Sequence, residues 1–303
     1  MTSTQHLRKT QNSASSLRLL RAVRVAHQNN QWAQGLSFLV SAALAAAGLL
    51  SRSEPTATAT VALIGTTWAA FYWLLIAPWA ERHLWTAAAL QERFDTEVLG
   101  LPWNRIAVGD PISDDEVNRL ARRFRGDADR LLDYYLIADA AAPYGVLFCL
   151  EQNLAWGSRV RFRFAQLAAT FMILWSVFGV VLVLSTGGTV NQLLSGWFAP
   201  SLGLLIVCLD AYRVQIASSR ERTRVLAMVR AAFDDPASPL ITNATRFTTF
   251  ARQVQDTLFT MRRVQPRLPH WYFKRFHHQD KSDFEVKRDT LEDRFPPFSL
   301  TVP

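Results

Sequence analysis

The chain has 303 residues, of which 50% are hydrophobic and 19% charged, and a mean hydropathy of +0.05. That is too apolar for an ordinary soluble domain and too charged for a protein wholly buried in lipid. The net charge of +8 directs its excess cations toward an anionic surface or ligand, and two cysteines are too few for a disulfide framework.

The first 31 residues carry Arg8, Lys9, Arg18, Arg21 and Arg24 and no acid. In SSLRLLRAVRVAHQ a helical period of 100° per residue puts Arg18, Arg21 and Arg24 on one face and Leu19, Leu20, Val23 and Ala26 on the other. This lead-in, 1–31, is read as a basic amphipathic helix lying on the inner leaflet, with a merely solvated basic segment as the alternative. Trp32–Leu50 and Val61–Ala80 carry no charged side chain, and a hairpin holding only Arg52 and Glu54 separates them. At 19 and 20 residues, each is long enough to cross roughly 30 Å of hydrocarbon as a helix. The first membrane hairpin is therefore 32–80, with spans 32–50 and 61–80. Small and hydroxyl residues punctuate both spans, among them Gly65, Thr66 and Thr67 in the second. They suit close helix packing, with the lining of a pore in an oligomer as the alternative.

The segment 81–163 continues the second span as helix until Gly100 and Pro102 stop it. Ser113 and Glu116 form a capping box before the apolar stripe Val117, Leu120, Ala121 and Phe124. Another helix is predicted from Asp127 through LLDYYLIADAAA, and a third from Pro143 straight into the next apolar stretch, with Gly157 as its weak point. The second membrane hairpin is 164–209, its spans 164–184 and 193–209 joined by an uncharged loop. In the tail, 210–303, Phe247, Phe250, Val254, Leu258 and Met261 recur at helical spacing. No segment alternates at period two. The fold class is an all-α membrane protein: four transmembrane helices and a helical cytoplasmic domain built from 81–163 and the tail. Basic residues cluster at the N-terminus, the middle segment and the tail, which places both termini in the cytoplasm.

No residue reads as catalytic. His277, His278 and Asp280 lack the i, i+4 spacing of helix-borne metal ligands, and Asp114, Asp115 and Glu116 suit the first turn of a helix. No metal site is expected. The spans contain no ionisable residue, which weakens a transporter reading.

Four stretches together resemble a known family: FDTEVLGLPWN (94–104), the DYY ending at Tyr135, CLEQNLAWGSRVRFRF (149–164) and RQVQDTLFTMRRVQPRLPHWYFKRF (252–276). In this order around four spans, they resemble the SMODS-associated four-transmembrane effectors. Two places depart from that pattern: an arginine often precedes the Gln-Asn pair and an aspartate follows the tryptophan, where this chain has Glu151 and Gly157. The resemblance implies a pore-forming, oligomeric effector of bacterial antiphage defence in the inner membrane. A cyclic oligonucleotide from a neighbouring nucleotidyltransferase would gate it as a regulatory ligand, with no direct DNA or RNA binding. The alternative is a non-pore membrane scaffold whose cytoplasmic domain docks a partner. Trp103, Asn104, Arg252, Asp256, Arg262 and Trp271, from the matching motifs, are candidates for ligand contact or packing.

The stretch before the third span has three readings. Arg159, Arg161 and Arg163 can anchor by snorkelling to lipid phosphates. Gln152, Asn153, Trp156 and Arg159 can form a gating junction between the cytoplasmic domain and the span. Alternatively, they contact the ligand directly, a guanidinium on phosphate and Trp156 under a base. Gln152, Trp156 and Arg159 share a helical sector about 60° wide, and Arg161 faces away.

Overall fold

The computed structural model describes residues 3–51, 54–268 and 270–296, and no strand occurs among them. Twelve helices follow in order: α1 (Thr4–Gln11), α2 (Ala14–Ser51), α3 (Pro55–Phe71), α4 (Ala77–Leu99), α5 (Arg105–Val108), α6 (Asp114–Ala121), α7 (Ala142–Ser185), α8 (Val190–Leu193), α9 (Ala199–Asp234), α10 (Pro239–Thr242), α11 (Ala244–Val264) and α12 (His270–Arg294). Single π-helical turns, Tyr72–Ile76 and Leu194–Phe198, join α3 to α4 and α8 to α9. Among the described residues, four helical stretches are long and apolar enough to cross a membrane. The protein is an all-α membrane protein.

The chain divides into two compact units. Unit 1 comprises residues 1–28, 83–160 and 218–303, and unit 2 comprises 29–82 and 161–217.

Unit 2 holds the apolar spans. Their packing relies on small residues and aromatics, because lipid offers no hydrophobic drive between helices. Trp197 is 2% exposed and occupies the space a side chain at Gly179 would need, while stacking on Trp175 at 4.8 Å. The Trp175 indole donates to Ser201 Oγ at 3.0 Å. Large apolar side chains of the spans also face outward, among them Leu63, Ile64, Trp73, Leu74 and Leu75 of the second and Ile173, Leu174 and Leu184 of the third.

Unit 1 has a contiguous apolar core. It includes Leu19, Leu20 and Val23 of α2, Leu90 and Phe94 of α4, Leu147, Phe148 and Leu154 of α7, and Val254 and Leu258 of α11. This corrects the expectation for the lead-in. The apolar face of residues 18–26 is spent on protein rather than on a leaflet surface, and Ala22 and Ala26 have no exposed area.

A second correction concerns 127–141. A short 3-10 turn, Asp129–Leu131, is followed by irregular chain through Ala141. Side chains of neighbouring helices take the hydrogen bonds a helix would have made. Gln11 exchanges two bonds with the Tyr135 backbone (2.9 and 3.3 Å), Asn12 accepts from Asp133 N at 3.0 Å, and Thr4 Oγ1 donates to Ala140 O at 2.9 Å. Asp133 has φ 48°, a left-handed turn that ends any helix.

Candidate functional site

Helix α4 carries Gln91, Glu92 and Asp95 within two turns, and α11 carries Arg252, Gln255, Asp256 and Arg262 along one face. The two faces meet inside unit 1 and form a buried polar hub. Asp95 has no exposed surface and accepts four bonds. Gln91 Nε2 (3.0 Å) and the Tyr135 hydroxyl (2.7 Å) donate to Oδ1, and Gln255 Nε2 (2.9 Å) and Arg262 Nη1 (2.5 Å) to Oδ2. Glu92, also without exposed surface, pairs with Arg252 and accepts from Gln255 at 2.9 Å. Arg252 continues to Asp256 at 3.1 Å and to Pro102 O at 3.0 Å. Asn104 caps α5 through Oδ1 and donates Nδ2 to both Asp256 oxygens at 3.0 Å. Trp103 donates to Gly109 O at 2.9 Å and so closes the loop around α5.

Two buried acids thus face two buried arginines, which is the condition for burying charge at all. Burial holds the Arg262 neighbour Tyr135 well above the usual tyrosine pKa, so its hydroxyl stays a donor. At Glu92, burial outweighs the attraction of Arg252, and the carboxyl pKa is raised. The sign follows. Ionised Glu92 costs stability above its folded pKa, and the cost shrinks as pH falls through that value and vanishes below the unfolded value of about 4.3. Glu92→Gln, which leaves Arg252 with Asp256 and Pro102, should therefore melt higher than the wild type near neutral pH. The gap should close toward the unfolded value. A lower melting temperature at neutral pH would show that the Arg252 pair dominates.

The hub extends to the segment before the third span. Asn153 Nδ2 donates to the Tyr135 hydroxyl at 2.6 Å, and Gln152 clamps Leu136, accepting from its N at 3.0 Å and donating to its O at 2.6 Å. Four sequence motifs therefore converge on one network: 94–104, the DYY, 149–164 and the region from 252.

A model of the SMODS-associating 4TM effector domain matches residues 5–291. The chain belongs to that effector family. It is also 22% identical over 278 residues to a protein of Bacillus cereus (strain VD146) described as a probable CBASS effector molecule, covering 87% of this chain and 90% of that one. No solved structure matches.

The two departures from the family pattern have physical counterparts. Glu151 is fully buried and takes two cations on Oε1, Arg230 of α9 at 2.8 Å and Lys287 of α12. At Gly157 a side chain would come within 2.7 Å of the Arg222 guanidinium, which donates to Asn153 O at 2.8 Å. The glycine therefore lets α9 lay an arginine across α7.

Trp156 stacks on Phe284 at 5.8 Å, and Arg159 pairs with Asp283 at 2.7 Å and lies over the Phe284 ring. With Tyr144 stacked on Phe295 at 3.8 Å, α12 follows α7 antiparallel from residue 144 to 159. Arg161 bonds instead to Gln215 at 2.5 Å. In the second span Gly65 is half-buried, and the side chains of Thr66 and Thr67 are exposed. The Trp271, His277, His278 and Asp280 side chains lie outside the described ones. No group of three His, Cys, Asp or Glu able to hold a metal occurs among the described residues.

Glu92, Asp95 and Gln255 are hub residues that sequence reasoning did not single out. Their signal was polar residues at i, i+3 and i+4 on helices whose remaining face is apolar, which marks a paired seam.

Proposed function

We propose that the protein is a membrane-permeabilising effector of a bacterial antiphage defence system. It acts as a homo-oligomer in the cell membrane with both termini cytoplasmic, and a cyclic oligonucleotide from a neighbouring nucleotidyltransferase gates it. The observation that carries this reading is the family match along nearly the whole chain, together with four apolar membrane-length helices. The CBASS effector from Bacillus cereus supports the defence context. Self-association is supported by size, because four helices packed as a bundle enclose too little space for a wide channel. The exposed second span, with Thr66 and Thr67, is the candidate lining or packing face.

Gating uses α7, which contributes residues to both units. The α12 contacts at Trp156 and Arg159 support a coupling role for them. The test is dye release from liposomes holding the purified protein, with cyclic oligonucleotides added. Trp156→Ala and Arg159→Gln should abolish nucleotide-dependent release at unchanged incorporation, whereas Arg161→Gln should be mild. Equal effects of the two arginine changes would reduce both to lipid anchors. No release by the wild-type protein under any nucleotide would favour the scaffold alternative.

A further inference from the structure

Buried guanidiniums in unit 1 are paired: Arg252 and Arg262 have side chains only 11% and 12% exposed, and each reaches a buried carboxylate. Arg222, 4% exposed, reaches the Asn153 carbonyl instead, and two half-buried arginines have no such carboxylate. Arg21 and Arg24 stand one turn apart on α2, among Leu19, Leu20, Ala22, Val23, Val25 and Ala26, all at most 4% exposed. Both arginines are half-buried. Arg21 Nε has no accessible surface and no hydrogen-bond partner, and neither residue has an acidic partner among the described residues. Burial alone pulls the Arg24 pKa down. A guanidinium does not discharge by losing its proton, so desolvating two without counter-charge is a standing cost that a bound anion would offset.

The surroundings add to the positive potential. Burial and the Asp95 charge push the Tyr134 pKa up, and Arg262, Arg267 and Arg24 act against them. The oxygens of Asp95 are already occupied by four donors. The Tyr134 ring is 39% exposed and held edge-on by Phe94 (5.1 Å) and Tyr135 (4.9 Å). A fixed aromatic face beside clustered guanidiniums matches a ligand with anionic oxygens and a planar group.

We propose that Arg21, Arg24 and Tyr134 form a binding site in unit 1 for a phosphate-bearing anion. The site itself follows from the unpaired guanidiniums; assigning the phosphate to a nucleotide rests on the gating reading above. A free nucleotide and an anionic lipid headgroup share this chemistry, and separate probes distinguish them.

The experiment uses the full-length protein in detergent and in liposomes, with pyrophosphate, cyclic di-adenylate and phosphatidylglycerol vesicles as probes. At least one probe should bind the wild type and raise its melting temperature. Arg21→Gln/Arg24→Gln should bind it at least about tenfold more weakly, the loss expected for two charge-assisted hydrogen bonds. Arg122→Gln, an exposed control, should bind as the wild type does. Without any probe, Arg24→Met should melt no lower than the wild type, because it removes a desolvated cation and keeps the aliphatic stem. Binding of phosphatidylglycerol alone would uphold the site and make the phosphate a headgroup. No probe binding, equal binding by wild type and double variant, or a lower melting temperature for Arg24→Met would overturn the site. Arginine-dependent binding with no dye release by the wild type would leave the site standing and remove the gating reading. Nucleotide-triggered release unchanged in the double variant would do the reverse.

Discussion

Asp95→Ala is expected to open unit 1. The substitution strands Arg262, the Tyr135 hydroxyl and the Gln91 amide in a buried site at once and leaves the Gln255 amide with Glu92 alone. Removing one partner of a buried ion pair costs about 3–5 kcal/mol, because the remaining charge stays desolvated. Cys149 supplies the readout. Its side chain has no exposed surface, and burial pushes its thiol pKa up, so maleimide reaches it only when the core opens. In a Cys208→Ser background, labelling of Cys149 should accelerate roughly a hundredfold or more, given a factor of ten per 1.4 kcal/mol. Asp95→Asn should also label fast, since the amide keeps the shape but leaves Arg262 without its counter-charge. Wild-type labelling rates in both variants would show that the hub contributes no stability.

Gln152→Met should release residues 132–141. The methionine keeps the length and the apolar contacts of the side chain and removes both bonds to Leu136. A buried backbone group left unsatisfied costs about 1–3 kcal/mol, so losing two costs roughly 2–6 kcal/mol. The effect should be local, because Gln11, Thr4 and Asn12 still hold their own carbonyls and amides along the segment. Hydrogen exchange should therefore quicken in peptides covering 132–141 and stay slow in the 247–261 face of α11. Unchanged exchange at Leu136 would mean that the clamp is dispensable and would return Gln152 to the list of signalling candidates. Loss of dye release by this variant, with α12 still docked on Trp156, would place the ordered segment upstream of the junction.

The spans were legible before any coordinates because hydrocarbon imposes a one-dimensional rule. A run of some twenty residues without charge has few alternatives to a membrane-crossing helix. The helical class followed from the 3.6-residue period, and the Ser113 cap was legible because capping is local: its Oγ accepts from Glu116 N at 3.4 Å. Residues 18–26 and 127–141 are decided by tertiary contacts that no local pattern records. Amphipathicity states that a face must be covered but not by what, so Leu19 and Val23 served equally well for a lipid surface and for the core they join. Helix-favouring residues such as Ala138 and Ala140 were overridden by side chains up to 136 positions away, Thr4 among them, which claimed the backbone bonds. The hub belongs wholly to the tertiary structure. Glu92 and Arg252 lie 160 positions apart, and only the packing of α4 on α11 turns two polar stripes into a buried, charge-matched seam. Arg21 and Arg24 emerge the same way: sequence records two cations on a helix, and only the fold shows that both are half-buried with no acid to meet them.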